Sequence, residues 1–450
     1  DMALDQQIID DIQDLDFSVQ SVGTASVASP LSGVPFASDS TRISYFTDVD
    51  AVESLVKAGK TLPSFVAAGP REKIFHDPAW TRAAIVTCGG LCPGINDVIK
   101  GLVNTLYRYG VRNVFGVRYG FRGLIPAFGL EPVRLDPDTV DLLHENGGSV
   151  LGSSRGEQPT DEIVQTLDRL NINVLFTIGG DGTQRGARDI ADALTEKQCP
   201  ISVVGVPKTI DNDLNFMART FGFETAVYAS EPIISCAHDE AKGAYNGIGL
   251  VHLMGRDSGF IAANASLANS VVNFCLVPEV PFQLGGARGL LSALERRLEE
   301  KQHAVIVVAE GAGQELFEAD AGAEKDASGN LLHNDIGLFL KAKIKEHLKK
   351  RGVEHSVKYF DPSYIIRSIP ARGTDAVFCL HLAQNAVHAA MAGMTNVVIG
   401  HWHDRFTCVP IRLATRSRRK IQPHGQLWQS VLNVTAQGQY LDGCNCGDKS

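Results

Sequence analysis

The chain reads as an α/β protein with two doubly wound, Rossmann-like parallel-sheet domains behind an N-terminal extension. Three observations predict this. From residue 82, short apolar runs alternate with segments of helical period, which is the pattern of βαβ units. The alternation pauses at one long helical stretch and then resumes, so it occurs twice. Glycine-rich or polar clusters follow the strand-like runs, at the strand ends where parallel sheets bind ligands.

The elements follow in order. "AAIVTC" (83–88) is a buried strand that ends at "GGLCPG". "INDVIKGLVNTLYRYG" (95–110) repeats apolar residues at three and four and reads as a helix. "NVFGVR" (113–118) is a strand, "DEIVQTLDRLN" (161–171) a helix, and "NVLFTIGG" (173–180) and "ISVVGVP" (201–207) are strands. After the helical stretch at 222–242 come the strands "GIGLVHL" (247–253), "NFCLVP" (273–278) and "AVIVVAEG" (304–311). Residues 312–334, rich in glycine and acids, read as a surface loop. "DIGLFLKAKIKEHLKKRG" (335–352) is an amphipathic helix closed by Gly352, and 374–394 is a largely apolar one.

Composition narrows the function classes. At 450 residues, 44% hydrophobic and 21% charged, the chain supports two or three cored domains. A net charge of −9 argues against a general nucleic-acid surface. The short basic run Arg416, Arg418, Arg419, Lys420 reads as a solvated or phosphate-facing patch. No apolar run approaches the ~20 residues that span a bilayer. The nine cysteines are scattered, mostly in apolar segments, which fits buried thiols in a reducing compartment. Cys444 and Cys446 alone make a weak metal or redox site and read as part of a tail. The first residues are acidic, then rich in Ser, Ala, Gly and Pro, unlike an Arg-rich transit peptide. Residues 1–64 are expected to form a flexible tail or an arm that embraces an oligomer.

The strand ends carry the chemistry. Glycines 89, 90, 179, 180 and 182 would let backbone N–H groups approach phosphate oxygens. In "TIGGDGTQRG" (177–186), read as a phosphate-cradling loop, Asp181 is a candidate Mg²⁺ ligand; its competing role is to cap the next helix. "GVPKTIDNDL" (205–214) places Thr209, Asp211 and Asp213 at alternate positions; on an extended segment they share one face. One carboxylate then takes a proton from an attacking hydroxyl while the other orients it or helps hold the metal. Arg155 in "GSSRG" and Arg256 in "MGRDSG" supply forks for phosphate oxygens. "SLVKAGKT" (54–61) is not a Walker loop, because Ser54 stands where its first glycine belongs and no strand precedes it.

These motifs, with "TFGFETA", "VPE" and "DPSYIIR", stand in the order seen in 6-phosphofructokinases. Over about residues 65 to 430 the chain resembles the long form found in plants and trypanosomatids. The resemblance implies the phosphofructokinase fold and phosphoryl transfer to the 1-hydroxyl of fructose 6-phosphate. It implies residues 1–80 as the extension, 81–224 plus about 366–415 as the nucleotide domain, and 225–365 plus about 416–440 as the sugar-phosphate domain, with 441–450 a tail. Asp211 would be the general base and Asp213 its companion, with Thr209 and Arg256 on the transferring group and Arg155 bridging donor and sugar. Asp181 would serve Mg²⁺, while Gly89, Gly180, Gly182, Thr183 and Lys208 face the ATP phosphates. Met254, Gly255 and Glu310 would line the sugar hydroxyls, and Lys358, Tyr364 and Arg367 its 6-phosphate. Some contacts in the family come from a neighbouring subunit, so a homo-oligomer is expected, most commonly a tetramer. The expected compartment is the cytoplasm, with the plastid stroma as alternative.

There are departures. Gly247 stands where bacterial members have arginine, Lys358 replaces another arginine and Tyr364 a histidine. Pyrophosphate-using relatives carry aspartate after the metal aspartate. Two like charges ~4 Å apart cost about 4 kcal/mol at an effective dielectric of 20, so Gly182 favours ATP. Lys208 is found with both donors and discriminates less. The rivals are a pyrophosphate-dependent enzyme and a catalytically silent regulatory subunit, although the latter usually lacks an aspartate at 181 or 211. NAD and diacylglycerol kinases share "GGDGT"-like loops but lack "PKTIDND" with "MGRDSGF".

Overall fold

The computed structural model describes residues 12, 15–317 and 332–441. Cys444, Cys446 and most of the loop expected at 312–334 lie outside the described residues. Strands of three or more residues are numbered in chain order. Before residue 210 these are β1 (Arg42–Ser44), β2 (Ser64–Ala67), β3 (Arg82–Thr87), β4 (Asn113–Val117), β5 (Val133–Leu135), β6 (Val174–Gly179) and β7 (Ser202–Pro207). Then come β8 (Gly247–Leu253), β9 (Phe274–Leu276), β10 (His303–Ala309) and β11 (Ser356–Phe360), and finally β12 (Val397–Trp402) and β13 (Arg405–Pro410). The helices used below are α1 (Ile95–Tyr109), α2 (Asp181–Glu196), α3 (Phe223–Lys242), α4 (Phe260–Ala268), α5 (Ile336–Lys350), α6 (Ser363–Arg367) and α7 (Gly373–Met391).

The chain divides into two compact units: 1–209 with 214–221 and 370–418, and 210–213 with 222–369 and 419–450. The first unit holds a nine-stranded sheet in the order β1-β2-β13-β12-β7-β6-β3-β4-β5. Its five central strands, β12 to β4, are parallel. The outer ones pair antiparallel. β6 and β7 are buried at every position, as expected for parallel strands covered on both faces. α1 packs on α7, and a Cβ on Gly101 would lie 2.7 Å from that of Ala383, so glycine sets how closely they approach.

Part of the expected extension is sheet. β1 and β2 extend the edge beyond β13, and Phe65 on β2 is fully buried. Trp402 donates Nε1–H to the Tyr45 carbonyl at 3.0 Å and stacks on its ring. Residues 42–44 and 64–67 therefore join the first unit's sheet instead of trailing from it.

The second unit holds a parallel four-stranded sheet in the order β9-β10-β8-β11. β8 is buried throughout and β10 nearly so.

Candidate active site

In the first unit, β3 lies between β4 and β6. The chain therefore leaves the β3–β6 pair in opposite directions, which opens a crevice at the carboxyl ends of these strands. Gly89, just past β3, has φ +87°, a conformation suited to glycine. Its N–H donates to Ser154 O at 2.9 Å, and its carbonyl accepts from Ser153 Oγ at 2.6 Å. Thr87 Oγ1 donates to Gly152 O. These bonds clamp the loop 152–154, which comes after β5, to the end of β3 and leave exposed Arg155 one residue beyond the clamp.

The stretch expected as a phosphate-cradling loop is mostly helix. Gly180 alone separates β6 from α2, and Asp181, Gly182 and Thr183 form the first turn. The correction leaves the chemistry intact, since unpaired N–H groups and the positive dipole end of a helix bind phosphate. Gln184 Nε2 donates to the Gly179 and Val206 carbonyls at 3.0 and 3.3 Å, tying this turn to β6 and β7. Thr183 folds its buried side chain over Gly179, so its backbone N–H is what it offers at the helix start. Gly182 is exposed, and a Cβ there would meet nothing within 4 Å.

Two arginines that the motif reading left without roles flank Asp181. Its Oδ2 lies 2.5 Å from Arg185 Nη1 and 3.7 Å from Arg418 Nη2. Arg185 was legible as the i+4 neighbour on a helix; Arg418 was seen only as part of a basic run. Lys208 is 6% exposed and reaches across the strand ends, donating from Nζ to Gly90 O at 2.6 Å. Thr209 O accepts from Thr220 Oγ1 at 2.7 Å. Gly89, Gly180, Asp181, Gly182, Thr183 and Lys208 thus gather at one end of the sheet.

In the second unit, residues 210 and 211 form a turn and 212–213 belong to no strand, and Asn212 has φ +55°. A left-handed residue between Asp211 and Asp213 breaks the strand period, so alternation does not place these carboxylates on one face. Asp211 O accepts from Ser258 Oγ at 3.1 Å and Asp213 O from the Arg419 N–H at 2.8 Å. Asp213 is buried.

The chain direction reverses again at β8 and β10, because β11 lies on the far side of β8. Met254, Gly255 and Arg256 follow β8, and Glu310 follows β10. Gly255 has φ +152°, and a Cβ would lie 2.4 Å from Ser258 O. Arg256 sits at φ +51°, its N–H held by Glu310 Oε2 at 3.2 Å. Glu310 N–H in turn donates to Leu253 O at 2.9 Å. Glu279, given no role by the sequence reading although it ends the motif "VPE", accepts the N–H groups of Gly259 and Ile421 at 3.1 Å. Burial raises its pKa despite these bonds.

The three residues expected at a sugar 6-phosphate are not all brought to this crest. Arg367 lies over the Tyr364 ring at 4.5 Å on α6, which follows the end of β11. Lys358, in contrast, pairs in register with Gly249. That position is roughly 17 Å along the sheet from Met254 at ~3.3 Å per residue. Its Nζ lies 3.7 Å from Glu240 Oε2.

Comparison with known proteins agrees with this architecture. A sequence model of the family described as Phosphofructokinase matches residues 82–390. An ATP-dependent 6-phosphofructokinase of Borreliella burgdorferi is 52% identical over 377 residues, covering 82% of this chain and 84% of that one. One from Trypanosoma brucei brucei is 46% identical over 392 residues, covering 86% and 79%. The chloroplastic ATP-dependent 6-phosphofructokinase 5 of Arabidopsis thaliana is 44% identical over 374 residues, covering 83% and 69%. Among solved structures, a pyrophosphate-dependent phosphofructokinase of Marinobacter aquaeolei has the same fold, with a TM-score of 0.65 at 20% identity, covering 78% of this chain and 91% of that one. With the family model spanning more than half the chain and relatives this similar, the chain belongs to the phosphofructokinase family.

Proposed function

We propose that this chain transfers the terminal phosphoryl group of ATP to the 1-hydroxyl of fructose 6-phosphate, yielding fructose 1,6-bisphosphate and ADP. Family membership supports the reaction. The observation that carries the choice of donor is the open space at Gly182, which leaves room beside the first turn of α2 for the rest of a nucleotide.

The residues divide the work. The start of α2 receives the donor phosphates on backbone N–H groups, the Gly89 turn lets them approach closely, and Arg155 adds a guanidinium. Asp211 takes the proton from the 1-hydroxyl as it attacks, and Asp213 orients that acceptor. Thr209 and Arg256 stabilise the transferring group, while Met254, Gly255 and Glu310 receive the sugar hydroxyls. Tyr364 and Arg367 take the 6-phosphate, joined by Lys358 from a neighbouring subunit.

Mg²⁺ fits the donor set. Among the described residues no group of three or more His, Cys, Asp or Glu could cage a metal unaided. Magnesium in phosphoryl transfer needs only one or two carboxylates beside the substrate's own phosphates, which is what Asp181 offers. When bound, the ion supplies neutralisation of the charge on the phosphate oxygens.

The same reading makes the protein a homo-oligomer, a tetramer by family habit, since Lys358 must come from another copy. It places the protein in the cytoplasm, or in the plastid stroma. No helix among the described residues is long and apolar enough to cross a membrane. The test is an aldolase-coupled assay with ATP, fructose 6-phosphate and Mg²⁺. Stoichiometric fructose 1,6-bisphosphate supports the reading; none under any condition of sugar or metal overturns it.

A further inference from the structure

Asn96, in the first turn of α1, is 3% exposed. Its Nδ2 donates to Asn146 O and its Oδ1 accepts the Val150 N–H, both at 2.9 Å. One planar amide thus fixes the turn 146–150 against the helix, using its donor on a backbone carbonyl and its acceptor on a backbone N–H. Aspartate would lose the donor, and an apolar residue would leave both backbone groups without this partner.

The segment it holds is docked by polar bonds. None of residues 141–150 is buried, so apolar burial does little to fix them. Lys100, one turn beyond Asn96 on the same face of α1, donates to Asp141 O and, at 3.2 Å, to His144 Nδ1. From β3, Thr87 Oγ1 lies 3.0 Å from Ser149 Oγ. After Val150 the path is fixed at each step. Leu151 is buried, and its carbonyl accepts the Tyr119 N–H at 2.8 Å. Gly152 has φ +67°, and a Cβ there would lie 2.7 Å from the Tyr119 ring. Thr87 and Gly89 hold residues 152–154, and Arg155 follows directly. A buried amide is costly unless it is bonded. What this one fixes is the exposed turn that leads to Arg155.

We propose that Asn96 is a positioning residue for phosphoryl transfer: by pinning the turn 146–150 to α1, it sets where the Arg155 guanidinium meets the phosphates. The inference rests on the phosphate-binding role proposed for Arg155. A fork that is pre-placed loses little freedom when substrate arrives, and a small misplacement weakens its hold on the transition state.

The test is a double-mutant cycle in the full-length protein, read as kcat with ATP, fructose 6-phosphate and Mg²⁺. Asn96→Asp keeps the shape and places an acid in the first turn of a helix, which favours folding. It should lower kcat about tenfold with little change in melting temperature. Arg155→Ala should lower kcat about a hundredfold. If Asn96 acts through Arg155, the double variant is no worse than Arg155→Ala, within about twofold. Losses that multiply, to about a thousandfold, overturn the inference while leaving the role of Arg155 intact. Undiminished turnover in Arg155→Ala would remove that role and the inference with it. Asn96→Ala repeats the cycle without the added charge, and failure of both Asn96 variants to fold would make Asn96 a folding residue and overturn its positioning role. Hydrogen exchange on the unmodified protein checks the contact itself: the Val150 N–H should exchange about a hundredfold or more slowly than an unprotected amide. Free exchange there overturns the docking whatever the variants do.

Discussion

Lys208 Nζ donates to the carbonyl of Gly90 at 2.6 Å, crossing from the end of β7 to the turn after β3. A lysine that is 6% exposed and bonded to backbone is poorly placed to seize a small anionic donor. Releasing it would forfeit a charged hydrogen bond of about 1.5–3 kcal/mol. At Gly182 there is nothing to displace. The two observations together favour ATP.

Gly182→Asp should therefore lower kcat/KM for ATP at least tenfold. The repulsion of about 4 kcal/mol expected for charges ~4 Å apart allows a larger loss. Stability should hold, because an acidic residue in the first turn of a helix favours the dipole. Steady-state kinetics with a melting curve checks both. An unchanged ATP Michaelis constant would undo the steric argument.

Asp211→Asn removes the proposed base but keeps its size. Turnover should fall by about 10²–10⁴-fold, the usual contribution of general-base catalysis. Fructose 6-phosphate binding, followed by calorimetry, should change little. Undiminished turnover removes Asp211 from that role.

Glu310 holds the N–H of Arg256, whose backbone is in the left-handed region. Glu310→Ala should raise the KM for fructose 6-phosphate about tenfold and also lower kcat, because Arg256 loses its anchor. Glu310→Gln keeps an acceptor and should recover much of kcat. Equal kinetics for both variants would mean the carboxylate anchors nothing.

Acid should destabilise the first unit. Burial pushes His76 and His388 down to about 4, whereas a histidine in the unfolded chain titrates near 6.5. His76 Nε2 lies 2.9 Å from Ser202 Oγ, and His388 Nδ1 lies 2.9 Å from Tyr109 OH. The folded values are depressed, so below about 6.5 the unfolded chain binds more protons. Stability is present above that pH and is lost as pH falls toward 4. Each histidine contributes about 3 kcal/mol at the limit. Asp97 works the other way: burial raises its carboxyl to about 6, so the folded state keeps a proton that the unfolded chain releases. Between pH 4 and 6 it offsets roughly one of the two histidines. Urea midpoints should fall from pH 7 to 5, and Asp97→Asn should steepen the fall. A midpoint that rises on acidification would contradict the assignment.

Much of this was legible in the sequence, for physical reasons. β3, β6, β7, β8 and β10 are continuous apolar runs because both faces of a parallel sheet are covered. The glycine clusters after them mark the two places where the strand order reverses. The β12–β13 hairpin was not read, because its two-residue turn uses His403 and Asp404, both at positive φ, instead of the usual Asn-Gly. β1 and β2 are short and partly polar, and only pairing with β13 reveals them as sheet. Local spacing misled at Asp211 and Asp213, where one left-handed asparagine replaces strand alternation. Arg418 lies 237 positions from Asp181 in the chain numbering (418 − 181), beyond the reach of any local pattern.

The central claim is the donor, and one comparison tests it most directly: kcat/KM with ATP against pyrophosphate, at saturating fructose 6-phosphate and Mg²⁺. The account predicts turnover with ATP and at least a hundredfold less with pyrophosphate. Turnover with pyrophosphate alone would mean that Lys208 leaves Gly90 to bind the donor, and that the space at Gly182 serves no nucleotide.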